Sequence, residues 1–281
     1  QEKPAVKFDP APEQKMKILT KFLTASEEEE VTHIAFINKK TPETSSWTYA
    51  HELGRLYLKD AFHGRVRTKA YDNISDTEDA VAAIEQAIAD GNEMIFTTSP
   101  EFLSASLRVA VNHPEIKILN CSLNASHKYI RTYYGRMYEA KFLIGVLAGV
   151  MTDTNKIGYI ADYPIFGMTA NINAFALGVK MVNPKAKIYL EWSTLKENEH
   201  IDLTAKLYSL GATYISHQDM IIPRKISRQF GLFRVNGETP VNLAFPAWNW
   251  GKYYERIIRN VQNGIWNTEE KSDANKALHY W

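Results

Sequence analysis

Short apolar runs alternate with longer stretches of helical periodicity along most of this chain. Residues 32–37, 66–71, 93–97, 116–120, 157–161, 187–191 and 213–217 are apolar-rich runs of strand length. Runs this short, bounded by polar or turn residues, predict strands. Between them, residues 47–62, 77–90, 102–112, 135–151, 168–182 and 201–210 have the pattern of helices. Val81, Ile84 and Ile88 fall at i, i+3 and i+7 on one helical stripe, and Asp90-Gly91 closes that helix. The strand that follows, Met94-Ile95-Phe96, is apolar on both faces, as a parallel strand covered by helices on both sides must be.

Strand and helix alternating in this way predict an α/β fold built from right-handed βαβ units. The pattern runs twice. A first set of four strands ends near Asn120, and a second begins at Ile157. Tyr253, Tyr254, Ile257, Ile258 and Val261 form the stripe of a late helix over 249–263 that needs a sheet to cover. We therefore expect two lobes, each a doubly wound, mostly parallel sheet with flanking helices, and a cleft where the chain crosses between them. The expected division is an extension over 1–30, a first lobe from 31–151 plus 245–281, and a second lobe from 152–244. Pro4, Pro10 and Pro12, a Lys-rich helical piece over 13–24 and the acidic run 27–30 mark the extension as an exposed lead-in or linker. In doubly wound sheets ligands sit beyond the carboxyl ends of strands, so functional residues should follow strands directly.

Composition narrows the partners. The 281 residues carry 33 Lys+Arg against 32 Asp+Glu, a formal net charge of +1, so there is no basic excess for a nucleic-acid backbone. No apolar run approaches the 18 or so residues of a membrane span. The single cysteine, Cys121, excludes an internal disulfide and any paired-cysteine metal or redox motif. It ends an apolar run, and is read as a buried strand-end residue, with a reactive thiol as the alternative.

Catalytic motifs are missing. The chain contains no Gly-x-Gly, hence neither a dinucleotide fingerprint nor a phosphate-cradling loop, and no Gly-x-Ser-x-Gly. His51-Glu52 starts like a zinc-protease helix, but position 55 is Arg and half the ligands would be lacking. No metal, cofactor or catalytic residue is expected. His217-Gln218-Asp219, at a strand's carboxyl end, has three readings: ligand contact, loop structure, or metal and catalytic chemistry.

The aromatic residues carry more. Trp47 follows the first strand after Ser46, Phe102 follows the third after Thr98 and Ser99, and Tyr163 and Phe166 follow the strand at Ile157. Each alone has core packing as its plain reading. Together they would wall a cleft mouth for a planar ligand, with Ser46, Thr98 and Ser99 beside them. Trp248 and Trp250 either join that wall or fill the joint between lobes.

Collinear motifs then carry a resemblance. They are Trp47-Thr48-Tyr49-Ala50-His51-Glu52-Leu53-Gly54-Arg55, Thr97-Thr98-Ser99 with Phe102, and Tyr138-Glu139-Ala140. They continue with Asn155-Lys156-Ile157-Gly158-Tyr159-Ile160-Ala161, Asn171-Ile172-Asn173-Ala174-Phe175-Ala176-Leu177-Gly178, His217-Gln218-Asp219 and Trp248-Asn249-Trp250-Gly251-Lys252-Tyr253-Tyr254. In this order, over about Val31 to Trp266, they resemble the basic membrane protein family of substrate-binding proteins. The family has the type I periplasmic-binding fold, serves ABC importers and binds purine nucleosides or nucleobases.

The resemblance implies a ligand in the cleft and hinge closure around it. By position, Trp47 would stack on the base, Phe102 and Phe166 would line the cleft, and Asn173 with the His217 to Asp219 turn would supply polar contacts. Trp248 counts as a further contact. Partners would be a small ligand, a purine base or nucleoside, and an ABC permease or a fused upstream domain. Neither nucleic acid nor direct membrane insertion is expected, and the state expected is monomeric and extracytoplasmic, with a cytoplasmic sensor domain as the other location. The family's Gly-Asp-Gly-Gly before the tryptophan is replaced by Glu43-Thr44-Ser45-Ser46. Two other functions stand beside binding: a nucleoside hydrolase using His217 with Asp219 or Asp162, and a degenerate domain with a structural role.

Overall fold

The computed structural model describes residues 31–124, 126–162, 166–219, 228–236, 239–266 and 279–280. The lead-in over 1–30, Tyr163 and the pair Gly237-Glu238 lie outside the described residues. The first lobe is a six-stranded parallel sheet in the order β11-β5-β4-β3-β1-β2. Its strands are β1 (Thr32–Ile37), β2 (Val66–Tyr71), β3 (Met94–Thr97), β4 (Lys117–Cys121), β5 (Ile130–Tyr134) and β11 (His279–Tyr280). Helices α1 (Ser46–Phe62), α2 (Thr77–Ala89) and α3 (Leu103–Asn112) are its crossovers.

The predicted strands appear within a residue or two of their expected limits, because four central strands are apolar enough to be buried on both faces. Phe36, Met94, Phe96 and Leu119 point to a cluster shared with α1 and with α7 (Trp250–Gln262). Ala35, Ile37, Ile95 and Ile118 point the other way, onto α2 and α3. Alternation of side chains along a strand is what divides one apolar run between two cores.

The second lobe is a five-stranded sheet in the order β10-β9-β8-β6-β7. It comprises β6 (Lys156–Ala161), β7 (Lys187–Trp192), β8 (Tyr214–Ser216), β9 (Leu232–Arg234) and β10 (Val241–Ala244). β6 pairs in parallel with β7 and β8, while β9 runs antiparallel to β8 and β10. Helices α4 (Met137–Met151) and α5 (Phe166–Val182) cover one face and the short α6 (Leu203–Ser209) the other. The chain crosses between lobes after β5 and again between β10 and α7.

One expected boundary moves. Helix α4 falls within the expected first-lobe range, which ends at 151, but it packs in the second lobe. Ile144 and Ala148 join a core with Ile157, Tyr159 and Phe175. Glycines bring α4 and α5 together: a Cβ on Gly145 would strike the Phe175 carbonyl, and one on Gly178 the Phe142 carbonyl. Backbones this close leave α4 no second sheet to cover, so the lobe boundary falls near Gly135. β5 is not among the strands that the apolar pattern predicts, and its Arg131 and Thr132 interrupt the apolar run. Both are buried, and the Arg131 guanidinium lies 3.6 Å from the centre of the Trp266 ring and donates to the Trp266 carbonyl at 3.0 Å.

Candidate functional site

The carboxyl ends of β1, β3 and β5 face those of β6 and β8 across a cleft holding a cavity of about 210 Å³. Ser46, Trp47, Tyr134 and Trp248 line it from the first lobe and the crossing segments, and Lys141, Tyr159, Asp162, Met168, Asn171, His217 and Asp219 from the second.

Trp47 owes its position to a helix start. Ser45 caps α1 by accepting the Thr48 amide at 3.2 Å, which puts Trp47 in the first turn, over the sheet's edge. Its indole N–H donates to the Thr98 carbonyl at 2.7 Å. Thr98 is itself anchored, since its hydroxyl donates to Asn38 Oδ1 at 2.7 Å and its amide to the Ile37 carbonyl at 3.0 Å. The Tyr134 ring lies 6.1 Å from Trp47 and nearly parallel, and Trp248 stands edge-on to both, at 5.4 and 5.6 Å. Trp248 stacks on Trp250 at 5.0 Å with 4° between planes. Gly135 admits it, because a Cβ there would occupy the space of the Trp248 ring. The Trp248/Trp250 alternatives thus divide: Trp248 reaches the cavity, and Trp250 is 1% exposed and fills the core behind it.

The opposite wall is polar and charged. Lys141, its side chain 2% exposed, forms an ion pair with Asp219. Asp162 accepts from the Ser193 hydroxyl at 2.7 Å. Burial pushes the Asp219 carboxyl above the usual carboxylate range, Lys141 pulls it down and Asp162 pushes it up again. Burial holds the His217 imidazole below its usual range, against Asp162 and a hydrogen bond with the Gln229 backbone, while Lys141 adds to the lowering. Tyr159 is raised, by burial first and then by the two carboxylates. The wall therefore presents the Lys141–Asp219 ion pair, a second carboxyl group at Asp162 and an imidazole whose charged form burial disfavours.

The expected site residues do not all meet here. Ser46, Trp47, His217, Asp219 and Trp248 line the cavity. Thr98 and Ser99 stand one layer behind: Thr98 holds Trp47, and the Ser99 carbonyl accepts from Asn120 at 2.9 Å. Phe102 is 1% exposed in the core between the sheet and α2 and α3, so the cleft-lining role carried to it by position is corrected to core packing. The 3₁₀ turn Pro100–Phe102 carries the ring to the far side of the sheet. Asn173 is exposed on α5 and lies outside the lining; Asn171, two residues earlier, takes the cavity-facing position. Phe166 opens α5, and its side chain lies outside what is described.

Sequence reasoning passed over Tyr134, Lys141, Tyr159, Met168 and Asn171 as site residues. A Lys among the apolar positions of α4 was the available signal, because lysine is almost never fully buried without a partner. Cys121 is buried, and burial pushes its thiol well up, against a hydrogen bond from Tyr133. Among the described residues no group of three or more His, Cys, Asp or Glu is placed to hold a metal ion, and no helix is long and apolar enough to cross a membrane.

Comparison with known proteins agrees with this architecture. Residues 31–222 match the family described as ABC transporter substrate-binding protein PnrA-like. A purine-binding protein of Brucella abortus (strain 2308) is 27% identical over 256 residues, which cover 87% of this chain and 73% of that protein. A metabotropic glutamate receptor-like protein K of Dictyostelium discoideum is 30% identical over 85% of this chain, but only 37% of its own length is covered. Among solved structures, an ABC transporter solute-binding protein from Conexibacter woesei superposes with a TM-score of 0.62 at 15% identity, covering 83% of this chain and 82% of that one. At that identity the likeness speaks for the fold alone. The two lobes, one sheet parallel and the other mixed, with a cleft between them have the type I periplasmic-binding fold. By the match over residues 31–222, the chain belongs to the PnrA-like family of ABC transporter substrate-binding proteins.

Proposed function

We propose that the cleft binds a purine base or nucleoside and that the two lobes close on it. One arrangement carries this reading: the Trp47 ring, fixed through Thr98 and flanked by Tyr134 and Trp248, faces a wall of Asp162, Asp219 and neutral His217. An aromatic wall takes the flat face of a heterocycle, and carboxylates take its N–H edge. The cavity, about 210 Å³, is below the 300 to 1,000 Å³ of drug-sized sites and suits a compact planar ligand. Two carboxylates against one ammonium disfavour a phosphate, so a base or nucleoside is preferred to a nucleotide. The name of the Brucella relative supports the same ligand class.

Bound ligand would then pass to a permease for import, or be reported to a receptor domain. The receptor name of the Dictyostelium relative favours keeping the second use in view. Either use places the domain outside the cytoplasm, held to the membrane by an anchor or a partner, and working as a monomer. Calorimetric titration of the purified chain with adenine, hypoxanthine, adenosine and guanosine tests the reading. Saturable binding of one of them in the micromolar range or tighter is expected. A folded protein that binds none of the four would overturn it.

A further inference from the structure

Lys141 is an unusual residue for the interior of a helix that packs on another helix through glycines. Its neighbours on α4 are apolar, its side chain is 2% exposed, and its head lines the cleft. Three acceptors surround its three N–H groups: the Ser216 hydroxyl at 3.3 Å, the His217 carbonyl at 3.5 Å and the Asp219 carboxylate. An ammonium surrounded in this way has no proton left for a ligand. Its influence on recognition must pass through the turn it holds.

We propose that Lys141 is a positioning residue that fixes the Ser216 to Asp219 turn and keeps Asp219 ionised in the cleft, so that a ligand N–H meets a carboxylate rather than a carboxylic acid. The ligand half of this inference rests on the purine reading above; the ion-pair half does not. The groups facing Asp219 are Lys141 from α4, Tyr159 and Asp162 from β6 and its end, and His217 from its own turn. Of these only Lys141 forms an ion pair with Asp219. Burial and the Asp162 charge both favour the protonated acid. Without the ammonium nothing opposes them, and a protonated Asp219 would turn an O–H toward the donor edge it should accept from.

The test uses the full chain and its Lys141→Met, Lys141→Arg and Asp219→Asn variants. Carboxyl carbon NMR of ligand-free, aspartate-labelled protein follows the Asp219 titration, assigned by its loss in Asp219→Asn. The Lys141→Met midpoint should rise by about one to three pH units, and Lys141→Arg should restore it. Adenine affinity measured from pH 5 to pH 8 should fall with acidification in the wild type and fall at higher pH in Lys141→Met. An unchanged Asp219 midpoint in folded Lys141→Met would overturn the proposal, as would an affinity profile that does not move with the midpoint. If Lys141→Met does not fold, Lys141→Gln gives the same reading with donors kept and charge removed. Failure of the wild type to bind any purine would defeat the purine reading instead, and the NMR titration would still decide the ion pair.

Discussion

The indole N–H of Trp47 and the carbonyl of Thr98, 2.7 Å apart, join the first turn of α1 to the segment that follows β3. The bond sets the angle at which the Trp47 ring faces the cavity. Thr98 is the backbone post on which the Trp47 ring hangs.

Removing that surface and merely loosening it should give different results. Trp47→Ala should weaken purine binding by about tenfold to a hundredfold, since stacking of a base on an aromatic ring is worth about 1–3 kcal/mol. Trp47→Phe keeps a ring and loses the bond to Thr98, a cost of about 1 kcal/mol, so its loss should be smaller. Calorimetry on both variants, with circular dichroism to show that each is folded, checks the order. Equal losses would mean the indole's hydrogen bond, not its face, is what matters.

Acid should weaken the fold through His51. Its ring is 1% exposed, stacked at 4.7 Å on Trp250, with Nδ1 2.5 Å from the Tyr254 hydroxyl. Burial lowers its pKa from 6.5 to about 3. The unfolded chain takes up the proton near pH 6.5 while the folded chain refuses it until about pH 3. The neutral ring's contribution is therefore fully present above pH 6.5 and is lost as pH falls through that window, at about 1.4 kcal/mol per pH unit. Between pH 6.5 and pH 5 that amounts to about 2 kcal/mol. Denaturant unfolding of the wild type and of His51→Gln at both pH values isolates it, and the variant should show the smaller difference between them.

Close packing of α4 on α5 should make Gly178 intolerant of any side chain. A Cβ there would strike the Phe142 carbonyl and come within 2.9 Å of the Val146 amide nitrogen, both backbone atoms that cannot rotate away. Gly178→Ala should cost about 1–3 kcal/mol from overpacking, despite alanine's better helix propensity. Gly167→Ala, on the same helix with its nearest neighbours at 3.7 Å, should leave stability unchanged or raise it slightly. Urea midpoints for the two variants compare them directly.

Much of this protein is legible from one dimension. Alternating apolar runs and helical stripes are local properties, set by side-chain periods of two and 3.6, and they placed the seven strands and seven helices named from the pattern within a few residues. Motif order named the family, and the strand-end rule located Trp47, His217 and Asp219 at the cleft. Tertiary structure decided what depends on distant partners. Phe102 follows a strand as Trp47 does, but a 3₁₀ turn sends it to the core. Asn171 and Asn173 differ by about 200° around one helix, and only the packing of α5 on α4 fixes which of them meets the cavity. Arg131 and Lys141 look like interruptions in apolar segments until their partners arrive, Trp266 from 135 residues away and Asp219 from the turn after β8. A buried charge is explained by what pairs with it, and pairing is a property of the folded chain rather than of the sequence around the charge.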